Sequence, residues 1–83
     1  MPKENTGAAG ATLDAQGLKC PLPVLRARKA MREVGPGATL TILATDPAAP
    51  ADFAAFCEQT GHTLVSSTEA EGVHTIVVRR KGS

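Results

Sequence analysis

Residues 17–37 read Gly-Leu-Lys-Cys-Pro-Leu-Pro-Val-Leu-Arg-Ala-Arg-Lys-Ala-Met-Arg-Glu-Val-Gly-Pro-Gly. Within this stretch Val24, Ala27, Met31 and Val34 recur at spacings of three and four, the periodicity of an amphipathic helix, and Gly35-Pro36-Gly37 stops the pattern. The spacing predicts a first helix from Pro21 to Val34. Upstream, Ala11-Thr12-Leu13 is a short apolar and β-branched run ending in the turn-forming Asp14-Ala15-Gln16-Gly17, which predicts a first strand. Downstream, Thr39 to Thr45 reads T-L-T-I-L-A-T, with Leu40, Ile42 and Ala44 on one face of a second strand that Asp46-Pro47 breaks. Pro50 suits the first turn of a second helix reaching Thr60, with Phe53, Phe56, Cys57 and Thr60 on one face and Gly61 as its stop. His62 to Thr68 and Val73 to Arg80 follow as two strands, joined by the hairpin-like Glu69-Ala70-Glu71-Gly72.

The order β-α-β-α-β-β, with two helical stripes to cover, predicts an α/β (α+β) two-layer sandwich: a four-stranded mixed sheet with both helices on one face. The other sheet face then meets solvent, lined by Thr39, Thr41, Ser67 and Thr75. With 83 residues and a net charge of +1, the chain makes one domain, expected over residues 11–81, after a flexible tail over residues 1–10. A domain this small buries only about 60% of its unfolded surface, which leaves no room behind its core for an enclosed substrate cavity, so function belongs on the surface. MPKENTGAAG has neither the apolar core of a signal peptide nor that of a membrane anchor, which points to the cytoplasm and to reduced thiols. Two cysteines with two distant histidines do not make a zinc spacing, so no metal is expected.

The chemistry concentrates at Gly17-Leu18-Lys19-Cys20-Pro21-Leu22-Pro23. A residue before proline is pushed out of the αR region, while proline itself suits the first helical position, so this reading makes Cys20 the N-cap. There its sulfur would lie near the positive end of the helix dipole, with Lys19 beside it and Arg26 farther along, and the thiolate would be favoured. Because Pro21 and Pro23 lack N–H groups, the effect would be modest. A proline as deep as Pro23 is expected to add nothing to the core and to serve instead as a stiffener of a presenting loop. The bland alternative is a cysteine that merely caps a helix. Cys57, on a face with Phe53 and Phe56, reads as a small core hydrophobe. Asp14 and Asp46 read as turn or cap residues, and His62 and His74 as structural.

The pattern resembles the TusA/SirA-like sulfur carriers, whose mark is Cys-Pro-x-Pro at the start of the first helix: Cys20, Pro21 and Pro23 match it. The likeness takes in Leu13-Asp14, Gly17, Lys29, Pro36-Gly37 and Asp46-Pro47, and extends over about Leu13 to Arg80. It implies a two-layer sandwich of four strands and two helices, and a motif cysteine, here Cys20, that takes sulfur as a persulfide from a cysteine desulfurase and relays it to an acceptor protein. Such a carrier needs no cofactor and is not itself an enzyme. Leu22 stands where members acting in tRNA thiolation often have Glu, so sulfur oxidation or molybdenum-cofactor supply are equally open destinations.

Lys19, Arg26, Arg28, Lys29 and Arg32 make the first helix basic, with no acid before Glu33. Lys19, Leu22, Arg26 and Lys29 are the expected docking residues for a partner protein. Stacking aromatics are missing and the net charge is small, so stable nucleic-acid binding is not expected. The domain is expected to be a monomer that makes no membrane contact. Two other readings stay open: a regulatory interaction module in which Cys20 is only a cap, and a redox protein, which would need Cys20 and Cys57 at disulfide distance.

Overall fold

The computed structural model describes residues 10–82. The tail expected over residues 1–10 therefore lies, except for Gly10, outside the described residues. The elements follow the expected order: β1 (Ala11–Ala15), α1 (Leu22–Met31), β2 (Thr39–Ala44), α2 (Ala49–Thr60), β3 (Thr63–Ala70) and β4 (Val73–Arg79). The sheet order is β1-β2-β4-β3, with β1 parallel to β2 and β4 antiparallel to both its neighbours. β4 is thus inserted between β2 and β3, the two strands that α2 connects. This is the mixed four-stranded α+β sandwich that the element order implies.

On β2, Leu40, Ile42 and Ala44 are buried, and in register across β4 so are Val78 and Ile76. These strand residues form one core cluster with Ala27 and Met31 of α1 and Ala49, Phe53, Phe56 and Cys57 of α2, so both helices cover the same sheet face. No polar or charged residue is buried among those described. Phe53 is fully enclosed and meets Phe56 edge to face, with centroids 6.1 Å apart. That pair supplies the core's only aromatic mass.

Five details depart from the sequence reading. The regular part of α1 stops at Met31, and Val34, though buried, is reached through a turn in which Arg32 and Glu33 donate to the Lys29 and Ala30 carbonyls. Pro23 is buried rather than idle: Pro23, Ala27 and Met31, each four apart, make the inner stripe of α1, and Val24 is only half-buried at its edge. β1 runs on through Asp14 to Ala15 because parallel pairing to Leu43 and Ala44 continues, and Ala15 is fully buried. A bulge at Val65 shifts the alternation of β3. Ser67 consequently pairs with Ile76 and shares its side of the sheet, while Thr68, opposite Thr75, joins Thr39 and Thr41 on the outer face. The β3–β4 hairpin is tighter than expected, turning at Glu71 and Gly72, both with positive φ as a type I′ turn requires.

Candidate functional site

β1 and β2 are parallel and end in register at Ala15 and Ala44, so the loops that follow them leave the same edge of the sheet side by side. In open α/β sheets this carboxyl end is where sites are built. Gly17, at φ 83°, makes the reversal that brings the first loop back towards the second; its N–H donates to Thr45 Oγ1 at 2.9 Å. Asp46 then ties the two loops together. One carboxylate oxygen accepts the Ala48 N–H at 2.9 Å, opening α2, and the other accepts the backbone N–H of Cys20. These two donors, followed by the charges of Lys19 and His74, hold the Asp46 carboxyl below the usual range. Asp46 is thus a turn residue ahead of α2, whose N-cap is Ala48, and it also fixes the main chain of the cysteine. Asp14, through its bond from the Gln16 N–H at 3.1 Å, closes a local turn as expected.

Cys20 is exposed and Cys57 is buried, and both are free thiols. Cys20 is not the N-cap. Pro21 occupies that position, Leu22 opens the helix with its N–H on the Lys19 carbonyl at 2.8 Å, and no side chain caps α1. The cysteine therefore serves no capping role. Because the first turn begins beyond it and carries Pro23, the dipole gives its sulfur little help. The surroundings are in fact acidic. Hydrogen bonding to the Asp52 carboxylate, a little desolvation and the negative charges of Asp52 and Asp46 together push the Cys20 thiol above the ordinary cysteine value. The surroundings thus favour the thiol rather than the thiolate expected from the sequence, because Asp52 on α2 and Asp46 in the loop before it, both remote in sequence, act against ionisation.

A shallow groove of about 160 Å³ runs from Cys20 and Pro21 past Val24 and Arg28 of α1 to Asp52, Ala55, Phe56 and Gln59 of α2. The sequence reading missed Asp52, Phe56 and Gln59 as its far wall. Asp52 carries no local signal beyond an acid in the first turn of a helix. Of the expected docking residues, Lys19, Leu22, Arg26 and Lys29 are all exposed, and none lines this groove. Leu22 and Leu25 expose 44% and 53% of their surfaces, an apolar pair three residues apart on the same helix as the exposed Arg26 and Lys29. Cys57 fills the core, and burial pushes its thiol up. His62 and His74 take structural places: His62 lies against Phe56 at 5.6 Å and accepts the Lys81 N–H at 3.1 Å, and His74 sits half-buried in β4. Among the described residues no group of acids, cysteines or histidines could hold a metal ion, and no helix is long and apolar enough to cross a membrane.

Fold and site together define a small α+β domain with one exposed cysteine thiol at the meeting of two tied loops. Residues 11–80 match the family described as Sulfurtransferase TusA. The chain belongs to this TusA family and is a sulfur carrier of the TusA/SirA-like kind. It is 44% identical to the sulfur carrier protein TusA of Allochromatium vinosum, over 82% of this chain and 90% of that one. Against the sulfur carrier protein TusA of Pseudomonas aeruginosa the identity is 40%, covering 92% and 96% respectively. A SirA-like protein from Desulfitobacterium hafniense shares the fold with a TM-score of 0.76 at 30% identity, over 86% of this chain and 97% of that one.

Proposed function

We propose that Cys20 carries the sulfur, as a persulfide received from a cysteine desulfurase in the cytoplasm and passed on to an acceptor protein. The observation that carries this reading is an exposed thiol, anchored through its main chain by Asp46, with the other cysteine buried in the core. A carrier must not offer a nearby thiol that would resolve the persulfide into a disulfide. In the loading step the Cys20 proton passes to the Asp52 carboxylate, and the Cys20 sulfur attacks the terminal sulfur of the donor persulfide. A new S–S bond forms on Cys20 as the donor's own S–S bond breaks, and the donor cysteine leaves as a thiolate, so no outside oxidant or reductant is needed. Delivery repeats the exchange with Cys20 as the leaving group.

Gly17 and Pro21 shape the loop, and Pro23 seats the start of α1 in the core behind it. The exposed face of Lys19, Leu22, Arg26 and Lys29 receives the partner: the charges steer an acidic surface and Leu22 gives it an apolar seat. The domain works as a monomer, and its acceptor lies in tRNA 2-thiouridine synthesis or in another sulfur-trafficking pathway. Intact-mass measurement after incubation with a cysteine desulfurase and cysteine tests the assignment. The wild-type protein should gain one sulfur atom that dithiothreitol removes, and Cys20→Ala should gain none. Sulfur retained by the Cys20→Ala variant would refute it.

A further inference from the structure

A second concavity, of about 280 Å³, opens beyond the far end of the groove, between the last turns of both helices and the end of β4. This is close to the ~300 Å³ at which small-molecule sites begin. Its lining includes Arg28, Arg32, Arg80 and Lys81 with His62, and no carboxylate. Helix C-termini ordinarily attract cations, and two of these side chains answer that demand. Arg80 donates through Nη1 to the Val34 carbonyl, in the turn that follows α1. Lys81 lies over Gly61, which ends α2, close enough that a Cβ there would be 3.8 Å from its Nζ. Yet each helix end is worth only about half an elementary negative charge, so four cations exceed what two ends neutralise by about three charges.

The remaining geometry holds donors towards the cavity rather than letting them disperse. Arg28 is spread over the Phe56 ring, 5.2 Å from its centroid, which braces one cation on the wall. His62 Nδ1 accepts the Lys81 N–H, so in the neutral ring Nε2 carries the proton and is a donor. Burial first, and then the positive charges of Lys81, Arg80 and Arg28, keep His62 below its ordinary pKa. Like charges gathered around a hollow are costly until an anion joins them. A tetrahedral oxoanion matches planar guanidinium forks and a lysine better than a lone carboxylate would, since it presents several acceptors at once.

We propose that this pocket binds a doubly charged oxoanion of the phosphate or sulfate class, free or as the terminal group of a small molecule, held by Arg28, Arg32 and Lys81. The site is distinct from the thiol, although Arg28 and Phe56 line both hollows. It can therefore be tested in Cys20→Ala protein, free of thiol chemistry. Inorganic phosphate, added at constant ionic strength against potassium chloride, should shift the His62 ring and the Gly61 and Lys81 amide resonances saturably. The double variant R32Q/K81Q, altered only at exposed side chains, should bind about tenfold more weakly or worse. A nucleoside monophosphate arm separates the sources: equal affinity means a free oxoanion, and tighter binding means a terminal phosphate. Chloride reproducing the shifts, or unchanged affinity in R32Q/K81Q, would overturn the proposal.

Discussion

At the scale of single residues, the balance at Cys20 is decided by Asp52. The sulfur was legible in the sequence because a cysteine ahead of Pro-x-Pro is a local pattern. Its acid partner was not, because Asp52 reaches it only once α2 has packed beside α1. A carboxylate that accepts the thiol hydrogen bond favours the protonated form, and its charge adds to that preference. Because the thiolate is the reacting species, a raised thiol pKa lowers the reactive fraction at a given pH. Asp52→Asn removes the charge and keeps the shape. The midpoint of the pH profile for iodoacetamide alkylation of Cys20 should move to lower pH in that variant. An unmoved midpoint would remove Asp52 from any role in setting the thiol's acidity.

At the scale of elements, Pro23 corrects the simplest reading of the motif. Both prolines look like stiffeners when only the sequence is considered, because a proline near a helix start contributes no N–H and fixes φ. In the fold the two diverge: Pro21 is exposed at the N-cap, whereas Pro23 heads the buried stripe that continues through Ala27 and Met31. Replacing Pro23 with Ala deletes two buried methylene-sized groups, at about 0.8 kcal/mol each. It also frees the unfolded chain, which adds a few tenths to 1 kcal/mol. Pro23→Ala should therefore cost about 2 kcal/mol in urea unfolding; a change within about 0.5 kcal/mol would mean that the ring does no packing. The helices and the central strand β2 could be read from periodicity because their burial is regular. Ser67 was misplaced because a bulge has no periodic signature, and one extra residue exchanges the faces of everything beyond it.

For the whole molecule, the strand order β1-β2-β4-β3 lay beyond the sequence, since periodicity tells which face is buried and not which strand lies beside which. That order brings the tied loops to one place and the end of β4 against both helices at another, so groups far apart in sequence share proton equilibria. His62, pressed by burial and by Lys81, Arg80 and Arg28, has its pKa lowered in the fold. The unfolded chain then takes up the proton first, and stability falls as pH drops below the ordinary histidine value of about 6.5. Asp46, lowered by the Ala48 and Cys20 N–H donors and then by Lys19 and His74, adds stability that is complete above the ordinary aspartate value of about 3.9 and is lost as pH falls below it. On the alkaline side Cys57, raised by burial, ionises more readily when unfolded, so stability declines above about pH 8.5. Melting temperature against pH should show a plateau between about 6.5 and 8.5 with two separate losses on the acid side. His62→Gln should remove the upper acid step and Asp46→Asn the lower one, each leaving the other in place. If both acid steps survive in either variant, that variant's residue is not the source of its step.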